Sequence, residues 1–254
     1  MNLDGFELNI EQLKGIDPVK SLDLSGKGLG RASAIVIAKC IELNAVLTSI
    51  DVGFAQLDEE AALSIVRVVR PRDQMTSLGL ASCKISPTGA AEIAEYVRGS
   101  AVVKHLSVAY NEIDGEVAQQ LATAVLSSKS LEVFTKIPIK ELRTDTLTEL
   151  DLNDRGVGVS GALVLAELVK FSAVLTALNL QLNMLDDAAK QSVHDAVAGR
   201  DGFVLGLSVE PEPNRATGGA GTCTVELVLK KLDLRANDLR GAEQMVWVCV
   251  YSWT

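Results

Sequence analysis

The stretch Leu147-Thr-Glu-Leu150-Asp-Leu152 alternates apolar and polar residues with the period of a short β-strand. The same spacing of apolar residues, at the first, fourth and sixth positions, recurs along the chain and mostly at one fixed interval. The copies start at Val19, Leu47, Met75, Val103, Leu147, Leu175 and Leu229. A fixed period of this length indicates a solenoid, in which each copy buries its apolar face against its neighbours.

The second half of each copy has the apolar spacing of a helix. Gly158–Phe171 and Glu116–Ser127 are examples, and both contain mainly good helix formers. A strand followed by a helix in every copy predicts parallel strands side by side with the helices on the other side. Helices are about 10 Å wide and strands lie about 4.8 Å apart, so the stack is expected to bend into an arc with a concave sheet.

These repeats resemble leucine-rich repeats, and a 28-residue unit with a full helix resembles the ribonuclease-inhibitor-like subfamily. The resemblance covers residues 19–200 and a further copy at 229–254. It implies an α/β leucine-rich repeat solenoid, a horseshoe arc with a parallel concave sheet and convex helices. Members of that subfamily range from inhibitors and sensor regions to a GTPase-activating protein, so the resemblance leaves the function undecided.

An inward-facing asparagine or cysteine is expected shortly after each strand, where its side chain bonds backbone groups of the next turn. Four copies match this expectation: Cys83, Asn111, Asn183 and Asn237. Three copies depart from it: Lys27, Ala55 and Arg155. The departures mark softer seams in the stack, or they are tolerated within a long array.

A longer repeat, which we call the long repeat, is superimposed on the short one. A single offset in residue number maps Ala45–Thr48 onto Ala173–Thr176, and Lys27 onto Arg155. The long repeat comprises four copies of the short one and an additional short unit, Leu131–Thr146. A strand fits at Leu131–Thr135, but Pro138 and the short distance to the next strand predict few helical residues. A similar short unit is expected near residues 3–18.

The chain is therefore interpreted as a single leucine-rich repeat domain over residues 1–254. It comprises a short N-terminal unit 1–18, repeats 19–130, the helix-poor unit 131–146, repeats 147–202, an irregular loop 208–224 and a last repeat or cap 227–254. The apolar segment Met245–Trp253 ends it. Three explanations fit that segment: a cap under the last turn, a surface that pairs with another chain, or a sequence that stops short.

Composition excludes several classes of partner. A net charge of −9 argues against binding nucleic acid or an anionic membrane, and 4% aromatic residues argue against a stacking platform for single strands. No basic region with an apolar run marks a signal peptide, and no apolar stretch is long enough for a bilayer. Four widely spaced cysteines without a C-x-x-C pair disfavour disulfide and zinc sites, which indicates a cytoplasmic location.

Motifs for chemistry are weak. Gly156-Val-Gly158-Val-Ser-Gly161 matches a dinucleotide-binding pattern, but the equivalent turn one long repeat earlier, at Gly28, is an ordinary part of the short repeat. His105 and His194 have no cysteine, serine or second histidine at a useful spacing. The sequence therefore predicts no enzyme, no cofactor and no metal site.

One constellation could bind a partner. The central residue of each strand, and its neighbours, should face solvent on the concave sheet. The candidate partner-binding residues are Asp23, Asp51, His105, Ser107, Glu149, Asp151, Asn179, Gln181, Asp233 and Arg235. Their aspartates form an acidic row suited to a basic partner surface, unless the row is simply a solvated feature of the repeat.

These features favour a non-catalytic protein–protein interaction module, a scaffold or adaptor that binds a partner protein on the concave face. Two alternatives stay open. One is a regulator such as a small-GTPase-activating protein, for which Arg31, Asn153 and Arg155 lie on the rims. The other is a structural subunit of a larger assembly that oligomerises through the C-terminal segment.

Overall fold

The computed structural model describes residues 1–207, and each regular repeat in it is a three-residue strand followed by a helix. The strands of the regular repeats are β3 Ser21–Asp23, β4 Ser49–Asp51, β5 Ser77–Gly79, β6 His105–Ser107, β9 Glu149–Asp151, β10 Ala177–Asn179 and β11 Val204–Gly206. The helices are α2 Arg31–Ile41, α3 Glu59–Val69, α4 Pro87–Gly99, α5 Gly115–Ser127, α7 Gly158–Val169 and α8 Asp187–Val197. Both helices predicted above, at 116–127 and 158–171, are present with their ends close to the expected positions.

Local sequence explains where the helices begin. Asp58 accepts a hydrogen bond from the Ala61 amide and caps α3, and Asp186 does the same for Ala189 at the start of α8. Such caps satisfy amides that have no partner within the helix. Asp58 and Asp186 occupy the same position in the two copies of the long repeat. The two copies therefore share their helix-capping residue as well as their apolar pattern.

Within residues 1–207 the apolar core lies between the strands and the helices. Ile50, Leu78 and Leu106 occupy the same position in neighbouring strands and are at most 1% exposed. Their strands pair in parallel with that position in register. The opposite side of the sheet, which we call the open face, carries the residues on either side of this position. Residues 1–207 therefore have a leucine-rich repeat fold, with strands alternating with helices as the sequence predicts.

The short unit at 131–146 is built differently from the repeats. Strands β7 Val133–Phe134 and β8 Ile137–Pro138 form an antiparallel hairpin, and the five-residue helix α6 Ile139–Arg143 follows. The sequence predicts few helical residues there, and the structure has these five, beginning directly after Pro138. The first residues repeat this plan, with a hairpin of β1 Asn2–Leu3 and β2 Phe6–Glu7 and the five-residue helix α1 Ile10–Lys14.

The short unit divides the sheet. One sheet has the order β3-β4-β5-β6-β7-β8, and the other has the order β11-β10-β9. The regular strands pair in parallel as predicted, but the sequence did not indicate that β9 would start a new sheet. The helical layer is not divided in this way, because α5 packs directly against α7.

Several predictions fall outside the described residues. These are the loop 208–224, the last repeat or cap 227–254 with Asp233, Arg235 and Asn237, and the apolar C-terminal segment. Strand β11 ends just before them and pairs with β10 through Leu205 and Leu178.

Candidate functional site

The predicted concave residues lie on the open face, where strand pairing sets their neighbours. In the first sheet Asp23, Asp51, Gly79 and Ser107 occupy one row, since each pairs with the next in register. In the second sheet Asp151 pairs with Asn179. The structure thus brings Asp23 and Asp51 together but places Asp151 in a separate sheet, so the acidic row expected from the sequence is divided.

The aspartates at this strand position share a local interaction. The Asp23 carboxylate accepts hydrogen bonds from the Ser25 amide at 3.0 Å and from its hydroxyl at 2.6 Å. Asp51 and Asp151 likewise accept from the amides of Gly53 and Asn153, two residues further on. An acidic or amide side chain that bonds its own backbone in this way forms an Asx turn. The turn fixes the direction of each carboxylate.

The Asp51 carboxylate also lies across Gly79 on the next strand. A Cβ atom at Gly79 would be 2.3 Å from Asp51 Cγ, so only glycine leaves room for this arrangement. Asn179 repeats the arrangement in the second sheet, where its Oδ1 accepts from the Gln181 amide and its side chain lies over Gly206. The open face is therefore tightly fitted around its polar side chains.

The other predicted residues lie on the same face. His105 pairs in register with Ser77 and Val133, and its side chain is exposed. Glu149 and Gln181 are exposed in the second sheet. Asp23 and Asp151 are exposed as well, whereas Asp51, Ser107 and Asn179 are partly buried.

Hydrogen bonds to Ser25 and the charge of Lys27 hold the pKa of Asp23 below its ordinary value, although some desolvation opposes them. This carboxylate is therefore ionised at neutral pH and available to a cationic group. The Asp23 carboxylate is a fixed, solvent-facing hydrogen-bond acceptor.

The inward-facing asparagines make the bonds expected of them, but in the opposite direction along the stack. Asn111 Nδ2 donates to the Leu80 and Val108 carbonyls, and its Oδ1 accepts from the amides of Cys83 and Ile85. Leu80, Cys83 and Ile85 belong to the preceding repeat, so the prediction of bonds to the next turn is wrong.

Cys83 takes the same inward position with a thiol. Its Sγ lies 3.7 Å from the Val52 carbonyl oxygen and 3.6 Å from that of Ala81. Burial and, secondarily, the charge of Asp51 raise the pKa of this thiol to about 12. The thiolate is therefore scarce at neutral pH, and Cys83 is structural.

Because Cys83 is buried, we expect its thiol to react slowly with alkylating reagents. In the native protein at pH 8, iodoacetamide is expected to alkylate Cys83 at least about 100-fold more slowly than in urea-unfolded protein, because alkylation requires an exposed thiolate. Peptide mass spectrometry over a time course measures both rates. Equal rates in the native and unfolded states would show that the thiol is not held inside the repeat.

Three carboxylates that the sequence analysis passed over link neighbouring units. Glu59 accepts from the Ser86 amide, the Ser86 hydroxyl and the Gly89 amide at the start of α4. Asp4 likewise bonds Ser33 at the start of α2, whereas Asp145 bonds Ser172 after the end of α7. Each carboxylate therefore acts across about one repeat of the sequence, and only the repeat period could have revealed these pairs.

Three arginines donate hydrogen bonds to carbonyl groups at the C-terminal ends of helices. Arg72 donates to the Ile41 carbonyl at the end of α2, and Arg200 donates to the Val169 carbonyl at the end of α7. Arg143 donates to the Leu126 and Ser128 carbonyls at the end of α5. Positive groups are favourable there because helix carbonyls lack partners in the last turn. Arg72 and Arg200 are equivalent in the long repeat, which is a signal the sequence contained.

Acid is expected to destabilise the protein through these carboxylates. Hydrogen bonds, chiefly from Ser33, Ser25 and Ser172, hold the pKa values of Asp4, Asp23 and Asp145 below those of free aspartate. A carboxyl with a lowered folded pKa stabilises the fold above its unfolded pKa near 4, and that contribution is lost as the pH falls through the folded pKa.

The melting temperature should therefore decrease when the pH is lowered from 5 to 3, and Asp145→Asn should decrease it at pH 7 while flattening the acid dependence. Circular dichroism melts of both proteins measure this. An Asp145→Asn profile parallel to that of the wild type at every pH would contradict the assignment.

A pair of aromatic side chains stands at the turns that follow the strands. Phe54 and Tyr110 are 53% and 40% exposed, and their ring centroids are 5.6 Å apart. Both residues have positive φ, a conformation that glycine occupies at the equivalent Gly26 and that bulky residues rarely adopt. The Tyr110 hydroxyl donates to the Asp154 carbonyl at 2.7 Å. Tyr110 therefore links the first and second sheets at their turns.

The glycine motif at 156–161 is also explained by a turn with positive φ and by its contact with Tyr110. Gly156 has φ +62, and a Cβ there would lie 2.7 Å from both the Tyr110 backbone nitrogen and its ring. The space beside Gly156 is filled by Tyr110 and is not a cradle for phosphate. A cavity of about 390 Å³ lies elsewhere, between α5, α7 and α8, and Leu126, Leu163 and Lys170 are among its lining residues.

Both histidines are exposed. His194 Nδ1 lies 3.6 Å from Asp195 on an exposed helix surface, and His105 stands on the open face. Within residues 1–207 no three histidine, cysteine or acidic side chains converge as a metal site. No helix in this same range is long and apolar enough to cross a membrane.

No protein-family model and no curated protein matches the chain. Among solved structures it is similar to actin-binding site 2 of leiomodin-1, with 17% identity, 49% of this chain and 75% of the other covered, and a TM-score of 0.44. The tropomodulin C-terminal domain of Caenorhabditis elegans is 10% identical over 49% and 78%, with a TM-score of 0.45. The leucine-rich repeat-containing protein LegL7 of Legionella pneumophila is 17% identical over 78% and 77%, with a TM-score of 0.34.

Proposed function

We propose that this protein is a non-catalytic protein-binding module, a scaffold or adaptor, and that it binds its partner on the open face of the sheet. The observation that carries the proposal is the set of Asx turns at Asp23, Asp51 and Asp151. Each turn holds a carboxylate in one direction before any partner arrives. Binding to groups that are already ordered loses less conformational entropy, which favours recognition.

The chemistry of the face favours a partner with a basic surface. Asp23, Glu149 and Asp151 are exposed acids, and the net charge of the whole chain is −9. Opposite charge accelerates encounter and disfavours acidic partners, including nucleic acid. The predicted residues Ser107, Asn179 and Gln181 add neutral groups beside these acids, and His105 adds an imidazole ring.

The repeat length supports membership of the ribonuclease-inhibitor-like subfamily. The regular strands from β3 to β6 begin at the constant interval of the sequence repeat, at Ser21, Ser49, Ser77 and His105. Full helices lie between them, with 11 residues in α2 and 13 in α4. Free, buried Cys40 and Cys83 are consistent with a reducing compartment, which supports a cytoplasmic location.

Affinity purification from the native source tests the proposal. The bait is the wild-type chain, and the comparison is an open-face variant with D23N, D51N, E149Q and D151N. Asparagine still accepts the amide bond of an Asx turn, so the variant should remove charge and keep the fold. A matched control carries E116Q, E167Q, D187N and D195N, which remove the same charge from exposed helix positions.

We expect mass spectrometry to find proteins that the wild type and the helix-face control retain and that the open-face variant loses. The proposal would be wrong if all three baits captured the same proteins in the same amounts, or if the helix-face control alone lost them.

A further inference from the structure

We propose that the free edge of β9 binds an extended basic segment of the partner by adding it as a strand to the second sheet. This inference rests on the proposed function, and it names where on the open face the partner attaches and in what conformation. Strand β9 ends its sheet on the side that faces the short unit, and within residues 1–207 no strand pairs with that side.

The amide side of the edge can be compared with the strands of the first sheet. In β4, β5 and β6 the amide of the first strand residue donates to the preceding unit: Ser49 to Lys20, Ser77 to Thr48 and His105 to Thr76, at 3.0–3.1 Å. Val133 donates to Lys104 in the same way at 2.9 Å. Glu149 stands at this position in β9, and its amide has no acceptor among the described residues.

The carbonyl side of the edge is unpaired as well. The Asp51 and Ser107 carbonyls accept from Leu24 and Leu80 of the preceding repeats at 2.8 Å. Val108 would serve the Asp151 carbonyl by the same rule, but its amide donates to the Thr135 hydroxyl. In residues 1–207 the Asp151 carbonyl therefore has no backbone donor.

The hairpin of the short unit causes this mismatch. Strand β7 takes the place beside β6, and Thr135 donates to the Leu106 carbonyl. Beyond the hairpin, the turn after β6 contacts the second sheet. The Tyr110 amide there donates to the Gly156 carbonyl rather than to a residue nearer β9. Backbone groups on a strand edge are the element that an added strand pairs with.

The side chains around the edge indicate the composition of the segment. Glu149 and Asp151 are both exposed on the open face, so residues of the segment on that face should be basic. Leu150 is partly buried between them, whereas Leu78 and Leu106 in paired strands are only 1% exposed. A residue of the segment that faces the core should therefore be apolar and should cover Leu150.

Two other occupants fit less well. A second copy of β9 would place its own Glu149 and Asp151 against these carboxylates, and like charges directly opposite each other destabilise a sheet. The free edge of β3 has one acidic residue on the open face, Asp23, where β9 has two, and its Leu22 is only 9% exposed. We therefore assign the segment to β9, with alternating basic and apolar residues.

The test uses an acetylated and amidated peptide of four lysines alternating with three valines, titrated into the ¹⁵N-labelled full chain. We expect the amide resonances of Glu149 and Asp151 to shift. Two further peptides carry N-methyl groups, one on the valines and the other on the lysines. Methylation removes the hydrogen bonds of one edge and leaves the charge unchanged, so one of the two methylated peptides should lose binding and the other should keep it. Loss with methylated valines would indicate a parallel segment and loss with methylated lysines an antiparallel one.

The E149Q/D151N variant should bind the parent peptide about fivefold more weakly, through the loss of two cross-strand ion pairs. The matched variant E116Q/E167Q removes the same charge from exposed helix positions and should bind like the wild type. The inference is overturned if both methylated peptides behave alike, if the resonances of Ser21 and Asp23 shift instead, or if nothing binds. Those results leave the proposed function standing if the open-face variant still loses partners in the affinity purification, so the two failures can be told apart.

Discussion

Replacement of Asn183 by alanine is expected to lower the free energy of unfolding by about 3–5 kcal/mol, since it leaves several buried backbone groups without partners. Asn183 is 2% exposed, and its Nδ2 donates to the Leu152, Leu180 and Gln181 carbonyls. Its Oδ1 accepts from the amides of Arg155 and Val157 at 3.0 Å. Urea denaturation followed by circular dichroism measures the change.

Asn153→Ala is the matched control, because Asn153 is exposed and its side chain makes no described hydrogen bond. This control should change stability by no more than about 0.5 kcal/mol. Equal changes in the free energy of unfolding for the two substitutions would mean that the hydrogen bonds of Asn183 do not stabilise the second sheet.

Replacement of Gly156 by alanine is expected to destabilise the protein by about 3 kcal/mol. The left-handed backbone at Gly156 costs an alanine about 1–2 kcal/mol, and the clash of its Cβ with Tyr110 adds about the same again. The clash cannot be relieved cheaply, because one of the contacted atoms is the Tyr110 backbone nitrogen at 2.7 Å. Chemical denaturation again gives the magnitude.

Gly158 isolates the contribution of the contact. It has the same φ of +62, but nothing lies within 4 Å of the position its Cβ would take. Gly158→Ala should therefore show only the backbone cost, about 1–2 kcal/mol. If Gly156→Ala were no more destabilising than Gly158→Ala, Tyr110 would not occupy the place described, and the structural explanation of the glycine motif would be lost.

The repeat period predicted the fold because each copy states the same pattern independently. Leu22, Leu78 and Leu178 each fall in a strand core, and the helices follow at the expected distance. A copy that departs from the pattern therefore does not change the predicted fold, because the other copies still show it. The inward role of Asn111 and Asn183 also followed from position alone, although the direction of their bonds did not.

The division of the sheet could not be predicted in this way. Leu131–Thr135 has the composition of a strand, and the reversal depends on Thr135 and Lys136, with φ of 46° and 68°. A tight hairpin with two left-handed residues is usually marked by asparagine or glycine, and neither is present here. The sequence did not predict strand β11 either. Gly202 occupies the position where the repeat pattern has its first apolar residue.

The open face was only partly predictable. Strand periodicity placed Asp23, Asp51 and Asp151 on one side of a sheet, but it could not show that their carboxylates close Asx turns or that Asp151 belongs to a second sheet. The exposed pair of Phe54 and Tyr110 was also missed. The signal was present, since these residues lie two repeats apart and share a turn position with Gly26.

The most direct test of the protein-binding account is the dissociation constant of a partner captured by the wild type, measured by isothermal titration calorimetry with three proteins. These are the wild type, the open-face variant D23N/D51N/E149Q/D151N and the helix-face control E116Q/E167Q/D187N/D195N. We predict binding at least about tenfold weaker for the open-face variant, a loss of about 1.4 kcal/mol, and unchanged binding for the control. Equal affinities for the wild type and the open-face variant would contradict the proposal that the partner binds on this face.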